Sequence, residues 1–214
     1  MVVSKPKGGR VQPLLGISSG QHRAADTLVR ESLAAATGGL NALLIREPLL
    51  DVSVLPAVIP QLAESFQSLI VHLKTPGAAG VAREFGVGLH LPSTEKVSVW
   101  ADRYETLGIS THSVSEALTA LEHGASYVLL SPVFRPTSKP NDTRAVLGLE
   151  GLEGVRGLPV WALGGILPTN AARVMRAGVA GIAVLGGLFG QPDNATIESA
   201  ARAYVDAIVP TSLT

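Results

Sequence analysis

Short apolar runs rich in Leu, Ile and Val alternate along this chain with Ala-rich stretches whose apolar positions recur at helical spacing. Runs of this length bounded by turn residues are expected of strands buried on both faces. Eight such runs can be read, over residues 14–18, 40–46, 68–73, 87–91, 107–110, 126–130, 160–163 and 181–185. The stretches between them predict helices. The first covers 24–37 and is stopped by Gly38 and Gly39, the next lies around 55–66, and Thr75-Pro76 opens a third that ends near Gly86. Another is expected through Val97 and Trp100, then one opened by a capping box from Ser113 to Glu116 and closed by Gly124. A weak helix around 149–155, one from Pro168 to Gly178 and a last one over 194–208 complete the set.

Eight strand–helix pairs joined by right-handed crossovers close most simply into a single (β/α)8 TIM barrel, with about 27 residues per unit and therefore lean loops. An open doubly wound sheet is the alternative, but the first strand leads into LLGISSGQ rather than a G-x-G-x-x-G turn. The expected organisation is a flexible lead-in over 1–11, one barrel over 12–208 and a tail over 209–214. Residues 1–10 carry Lys5, Lys7 and Arg10 with no apolar segment behind them, so no signal peptide is expected there.

Composition narrows the functional classes. The 214 residues are 46% hydrophobic and 16% charged, as a large buried core requires. Seventeen basic side chains balance seventeen acidic ones, which gives no field to hold nucleic acid or an anionic membrane. Any anion must be held by a few placed groups. No run of about 18 apolar residues offers a membrane span. The absence of cysteine removes disulfides, thiolate metal sites and cysteine nucleophiles, and a cytoplasmic location is expected.

The working face of such a barrel is the C-terminal end of its strands. There the sequence places Arg46-Glu47, His72 to Lys74, His90, Ser110 to His112, Ser131 to Lys139, Gly164-Gly165 and Gly186-Gly187. His72, His90 and His112 are candidates for proton transfer. His123, at a helix end, reads as a cation favoured by the helix dipole. The two glycine pairs follow strands seven and eight, where barrels of this kind commonly cradle phosphate on backbone N–H groups. Ser131, Ser138 and Lys139 lie in a loop whose hydroxyls and cations suit a phosphorylated ligand. Carboxylates near strand ends are few, namely Glu47, Glu95 and Asp142, so no cage of several Asp for a metal is visible.

The segments GISTHSVSEA, YVLLSPVF with TSK after it, PVWALGGI and GVAGIAVLGG resemble, in order and spacing, the family of thiamine phosphate synthase and the thiazole tautomerase TenI. The resemblance runs over about residues 12–208 and is densest from Gly108 to Gly187. It implies thiamine biosynthesis, a phosphorylated thiazole or thiamine phosphate as small-molecule ligand, and a homo-oligomer. Arg46 matches the Arg of the synthase's Arg-Glu-Lys motif, whose Lys is replaced by Pro48. His72-Leu73 stands where the synthase has Asn-Asp, the Asp a magnesium ligand, and Glu95 stands for its second magnesium Asp. Leucine cannot ligate magnesium. Ser138 and Lys139 keep the end of the anion loop, and Gly164, Gly165, Gly186 and Gly187 match the thiazole phosphate cup. Pro132 stands where the tautomerase has its His. The expectation is a TenI-like tautomerase that needs no cofactor, with a proton shuttled by His72, His90 or His112. The alternatives are a synthase that releases pyrophosphate with Mg2+ held at Glu95, and a ligand-binding barrel without turnover.

Overall fold

The computed structural model describes residues 12–51, 53–135 and 145–208. The lead-in, the tail, Ser138, Lys139 and Asp142 lie outside the described residues. Eight parallel strands close into a barrel in sequence order: β1 (Leu14–Ile17), β2 (Ala42–Ile45), β3 (Ser68–His72), β4 (Gly88–Leu91), β5 (Leu107–Thr111), β6 (Tyr127–Leu130), β7 (Val160–Leu163) and β8 (Gly181–Val184). The expected fold is therefore found, with strand ends shifted by a residue or two. The helices are α1 (Ala25–Thr37), α2 (Leu55–Ala63), α3 (Ala78–Phe85), α4 (Val114–Glu122), α5 (Pro168–Arg176) and α6 (Asn194–Ile208).

Two connections depart from the sequence reading. The segment through Val97 and Trp100 forms two 3-10 turns, Val97–Val99 and Ala101–Arg103, in place of an α-helix. β-Branched Val97 and Val99 disfavour a helix, and the segment is too short to nucleate a lasting one. The stretch Glu150–Val155 is also 3-10, where Gly151 and Gly154 put two poor helix formers into six residues.

The core has two shells. The larger lies between the strands and the helices, where α1 for example buries Leu28, Ser32 and Ala35 on one stripe. The smaller fills the barrel itself with Leu15, Ile17, Ala42, Leu44, Ile70, Tyr127, Leu129, Trp161 and Ala183. Tyr127 and Trp161 meet edge to face at 5.7 Å. Both fit because glycine stands opposite: a Cβ on Gly108 would collide with Tyr127, and one on Gly181 with the indole of Trp161. The Trp161 indole N–H donates to the carbonyl of Gln12 at 2.9 Å, tying the entry of the chain to the barrel floor. Apolar packing thus plugs the N-terminal half of the barrel and leaves its polar residues at the other end.

Candidate active site

Side chains alternate in and out along a strand, so the inward row that begins with Ile70 continues to His72, and the one that begins with Gly88 continues to His90. The parallel register sets His72 beside His90, with ring centroids 5.4 Å apart. His90 is fully buried, deeper than a residue at the open mouth. Its Nδ1 pairs with the Tyr127 hydroxyl at 2.9 Å and its Nε2 with Ser110 Oγ at 3.0 Å. Burial, reinforced by the neighbouring His72, holds the His90 imidazole neutral with its pKa far below the ordinary value. Burial likewise pushes the Tyr127 phenol well above its usual range. Tyr127, His90 and Ser110 therefore form a neutral hydrogen-bonded line running from the barrel interior to the end of β5.

Partner atoms fix the protonation of the other two histidines. The backbone N–H of Lys74 donates to His72 Nδ1 at 3.0 Å, so a neutral His72 carries its proton on Nε2. Burial and the positive charges of Arg46 and Lys74 push the His72 pKa down to about 4. His72 is thus a neutral N–H donor. At the end of β5 the relation is reversed: His112 Nδ1 meets the carbonyl of Ser131 at 2.9 Å and must donate to it, which puts the basic lone pair of the neutral ring on Nε2. Glu116 fixes the same residue by accepting from the His112 backbone N–H at 2.8 Å, while Ser113 Oγ accepts from the N–H of Glu116. The expected capping box is therefore only half formed, with its carboxylate turned to His112.

Arg46 follows β2 at the same end. Its backbone N–H donates to Ser18 Oγ at 2.8 Å, and the N–H of the next residue, Glu47, donates to Thr75 Oγ1 at 2.9 Å. Neighbouring loops thereby lock the turn that carries the guanidinium. Glu47, which the sequence reading noted only as a carboxylate near a strand end, is completely buried and ion-paired to His22.

Gly164 and Gly165 are required twice over, by backbone conformation and by space. Gly164 and Gly165 adopt φ of +103° and +63°, and a Cβ on Gly165 would lie 2.7 Å from Phe134 Cβ and 2.8 Å from the carbonyl of Arg135. Gly187 leaves room for the hydroxyl of Tyr204, which donates to the carbonyl of Ile166 at 2.9 Å and so ties both glycine turns to α6. These contacts show that part of the glycine requirement is packing. The N–H groups of Gly165, Gly186 and Gly187 donate to no acceptor among the described residues.

A magnesium ion wants several hard oxygen donors. Leu73 supplies none, and Glu95, the residue expected to serve if a metal bound, spends Oε2 on the indole N–H of Trp100 at 3.1 Å. No group of three or more His, Asp or Glu side chains suited to a metal occurs among the described residues. Among the described residues, those at the two expected positions do not together supply the oxygen donors a magnesium ion wants.

The sequence pattern of the thiamine monophosphate synthase family matches residues 14–188. The chain belongs to that family. Among similar proteins, the thiamine-phosphate synthase of Roseiflexus sp. (strain RS-1) is 32% identical over 191 residues, covering 84% of this chain and 78% of the relative. That of Chloroflexus aurantiacus is 44% identical over 102 residues, which is 46% of this chain and about half, 47%, of the relative. A solved thiamine phosphate pyrophosphorylase from Pyrococcus furiosus superposes with a TM-score of 0.72 at 27% identity, over 94% of this chain and 96% of that one. Both curated relatives bear the name thiamine-phosphate synthase. No helix among the described residues is long and apolar enough to cross a membrane.

Of the residues singled out from sequence, the structure brings Arg46, His72 and His90 together, with His112 and Ser131 bonded to each other at the ends of β5 and β6. Ser131 is buried and contributes its carbonyl. Tyr127 and His22 were missed as parts of the site, and Glu47 was placed at the working face without its ion pair to His22. Strand alternation counted two residues back from Leu129 would have found Tyr127.

Proposed function

We propose that this family member binds a thiazole phosphate at the barrel mouth and moves a proton on its ring without a metal, as a thiazole tautomerase does. The observation that supports this reading is the pair of Nδ1 contacts, which select an Nε2–H tautomer for a neutral His72 and an Nδ1–H for His112. Tautomerisation needs one group to take a proton from a ring position, one to stabilise the charge that develops, and return of the proton elsewhere. His112 takes and returns the proton. His72 donates a hydrogen bond without ionising, Arg46 holds the anionic substituent, and the open glycine N–H groups with Lys139 hold the phosphate. No oxidant or co-substrate is consumed. The line from Tyr127 through His90 to Ser110 fixes the floor on which the ring sits.

The names of the relatives favour a second reading, thiamine-phosphate synthase. That reaction expels pyrophosphate, a large accumulation of charge for which magnesium is the usual stabiliser, and the mismatch at Leu73 and Glu95 weighs against it. Exchange of solvent deuterium into the thiazole phosphate, followed by NMR, tests the first reading. The expected result is enzyme-dependent exchange that His112→Gln lowers by about 100-fold or more. Exchange at the uncatalysed rate would overturn it, and tight binding without exchange would assign the chain a ligand-binding role.

A further inference from the structure

His22 lies in the loop between β1 and α1, buried, and each of its ring nitrogens faces a carboxylate: Nδ1 is 2.8 Å from Glu47 Oε1 and Nε2 is 3.0 Å from Glu31 Oε2. A carboxylate oxygen only accepts, so both nitrogens must carry protons and the ring is an imidazolium. Glu47 collects the loop around itself. Its Oε1 also accepts from the N–H of Gly20 at 3.0 Å and its Oε2 from the N–H of His22 at 2.8 Å. Gly20, at φ +79°, is pressed against Arg46, where an added Cβ would lie 2.9 Å from a guanidinium nitrogen. One wall of the Arg46 site is therefore the loop that Glu47, His22 and Glu31 hold together.

We propose that His22 is a positioning residue for Arg46, and that loss of its proton loosens the loop and weakens anion binding at the barrel mouth. This rests on the reading that Arg46 holds the anion of the substrate. The groups facing His22 are Glu47 after β2, Glu31 on α1 and, at 3.3 Å, the hydroxyl of Ser19. Arg46 lies beyond Gly20, and Arg30 and Asp193 line the same cleft as Glu31. Burial opposes the charge on His22, and the two carboxylates overcome it, holding the pKa above its ordinary value. A neutral ring would turn a lone pair toward a carboxylate at 3.0 Å or less, a repulsion relieved only by moving the loop.

Inorganic sulfate is the appropriate probe, because its charge is constant across the range where His22 titrates. Calorimetry on the full chain from pH 6 to 9 is expected to show sulfate affinity falling roughly tenfold as His22 deprotonates. Nitrogen-15 spectra at pH 6 should show both His22 ring nitrogens protonated. H22Q should bind sulfate weakly at every pH. E31Q gives neutral His22 an amide donor for Nε2, so it should keep the affinity and lose the pH dependence, which a merely structural role for a partly exposed helix residue would not produce. Sulfate affinity that stays flat while His22 titrates, or that is unchanged in H22Q, would overturn the proposal. If sulfate does not bind the wild type, the anion-site reading fails. The Arg46 Nε resonance then decides positioning: a shift that tracks His22 titration supports it, and an unmoved resonance overturns it.

Discussion

Replacing Glu47 by Ala removes the acceptor for two backbone N–H groups, Gly20 and His22, and for one face of a buried imidazolium. Glu47 has no exposed surface, so water does not take over these bonds without opening the loop. Breaking one partner of a buried charge pair typically costs about 3–5 kcal/mol, and each kcal/mol lowers Tm by roughly 2–4 °C in a domain of this size. The expected loss is about 4 kcal/mol, a fall in Tm of roughly 8–16 °C, read by thermal or urea unfolding at pH 7. The pH profile carries a second signature. His22 has a raised pKa, so its contribution is complete below the ordinary 6.5 and is lost as pH rises through the folded-state value. Glu47 has a lowered pKa, since hydrogen bonds from His22, Ser18 and Gly20 outweigh its burial, so its contribution holds above 4.5 and is lost as pH falls through the folded-state value. Glu47→Ala should flatten both limbs. A fall in Tm of less than about 3 °C with both limbs intact would refute the assignment of Glu47 as the anchor of the loop.

Further predictions follow from the same contacts. Gly108→Ala sets a methyl against Tyr127 and His90 and should destabilise by at least the ~1–3 kcal/mol typical of overpacking, measured by urea unfolding. His72 should titrate near pH 4 by NMR and stay neutral through physiological pH; because its folded pKa is depressed, it makes stability rise with pH from about 4 to 6.5. Tyr204→Phe removes the bond to the carbonyl of Ile166 and should cost about 1 kcal/mol while weakening sulfate binding, as calorimetry would show.

The barrel was legible because its strands are buried on both faces and read as near-continuous apolar runs, while Gly38, Gly86, Gly124 and Gly178 mark helix ends. The two failures, at Val97–Val99 with Ala101–Arg103 and at Glu150–Val155, fall in short connections with poor helix formers, where local propensity decides. At the site, strand alternation placed His72 at the mouth. It did not reveal that His90 would be buried in a line with Tyr127 and Ser110, because that depends on Gly108, on the preceding strand, leaving room for the Tyr127 ring. His22, Glu31 and Glu47 are distant in sequence and share no spacing, so only the closure of the loop over β2 brings them together. The bond from the indole of Trp100 to Oε2 of Glu95, five residues apart, was likewise not visible in the sequence.

Metal-independent proton transfer at the mouth of this barrel is what separates a tautomerase from a synthase. Deuterium incorporation into thiazole phosphate is followed by NMR with excess chelator present, while pyrophosphate is assayed in parallel after adding magnesium and a pyrimidine diphosphate, the second substrate a synthase would join to the thiazole. The account predicts exchange at full rate with chelator and no release of pyrophosphate. Magnesium-dependent pyrophosphate release without chelator-resistant exchange would contradict it.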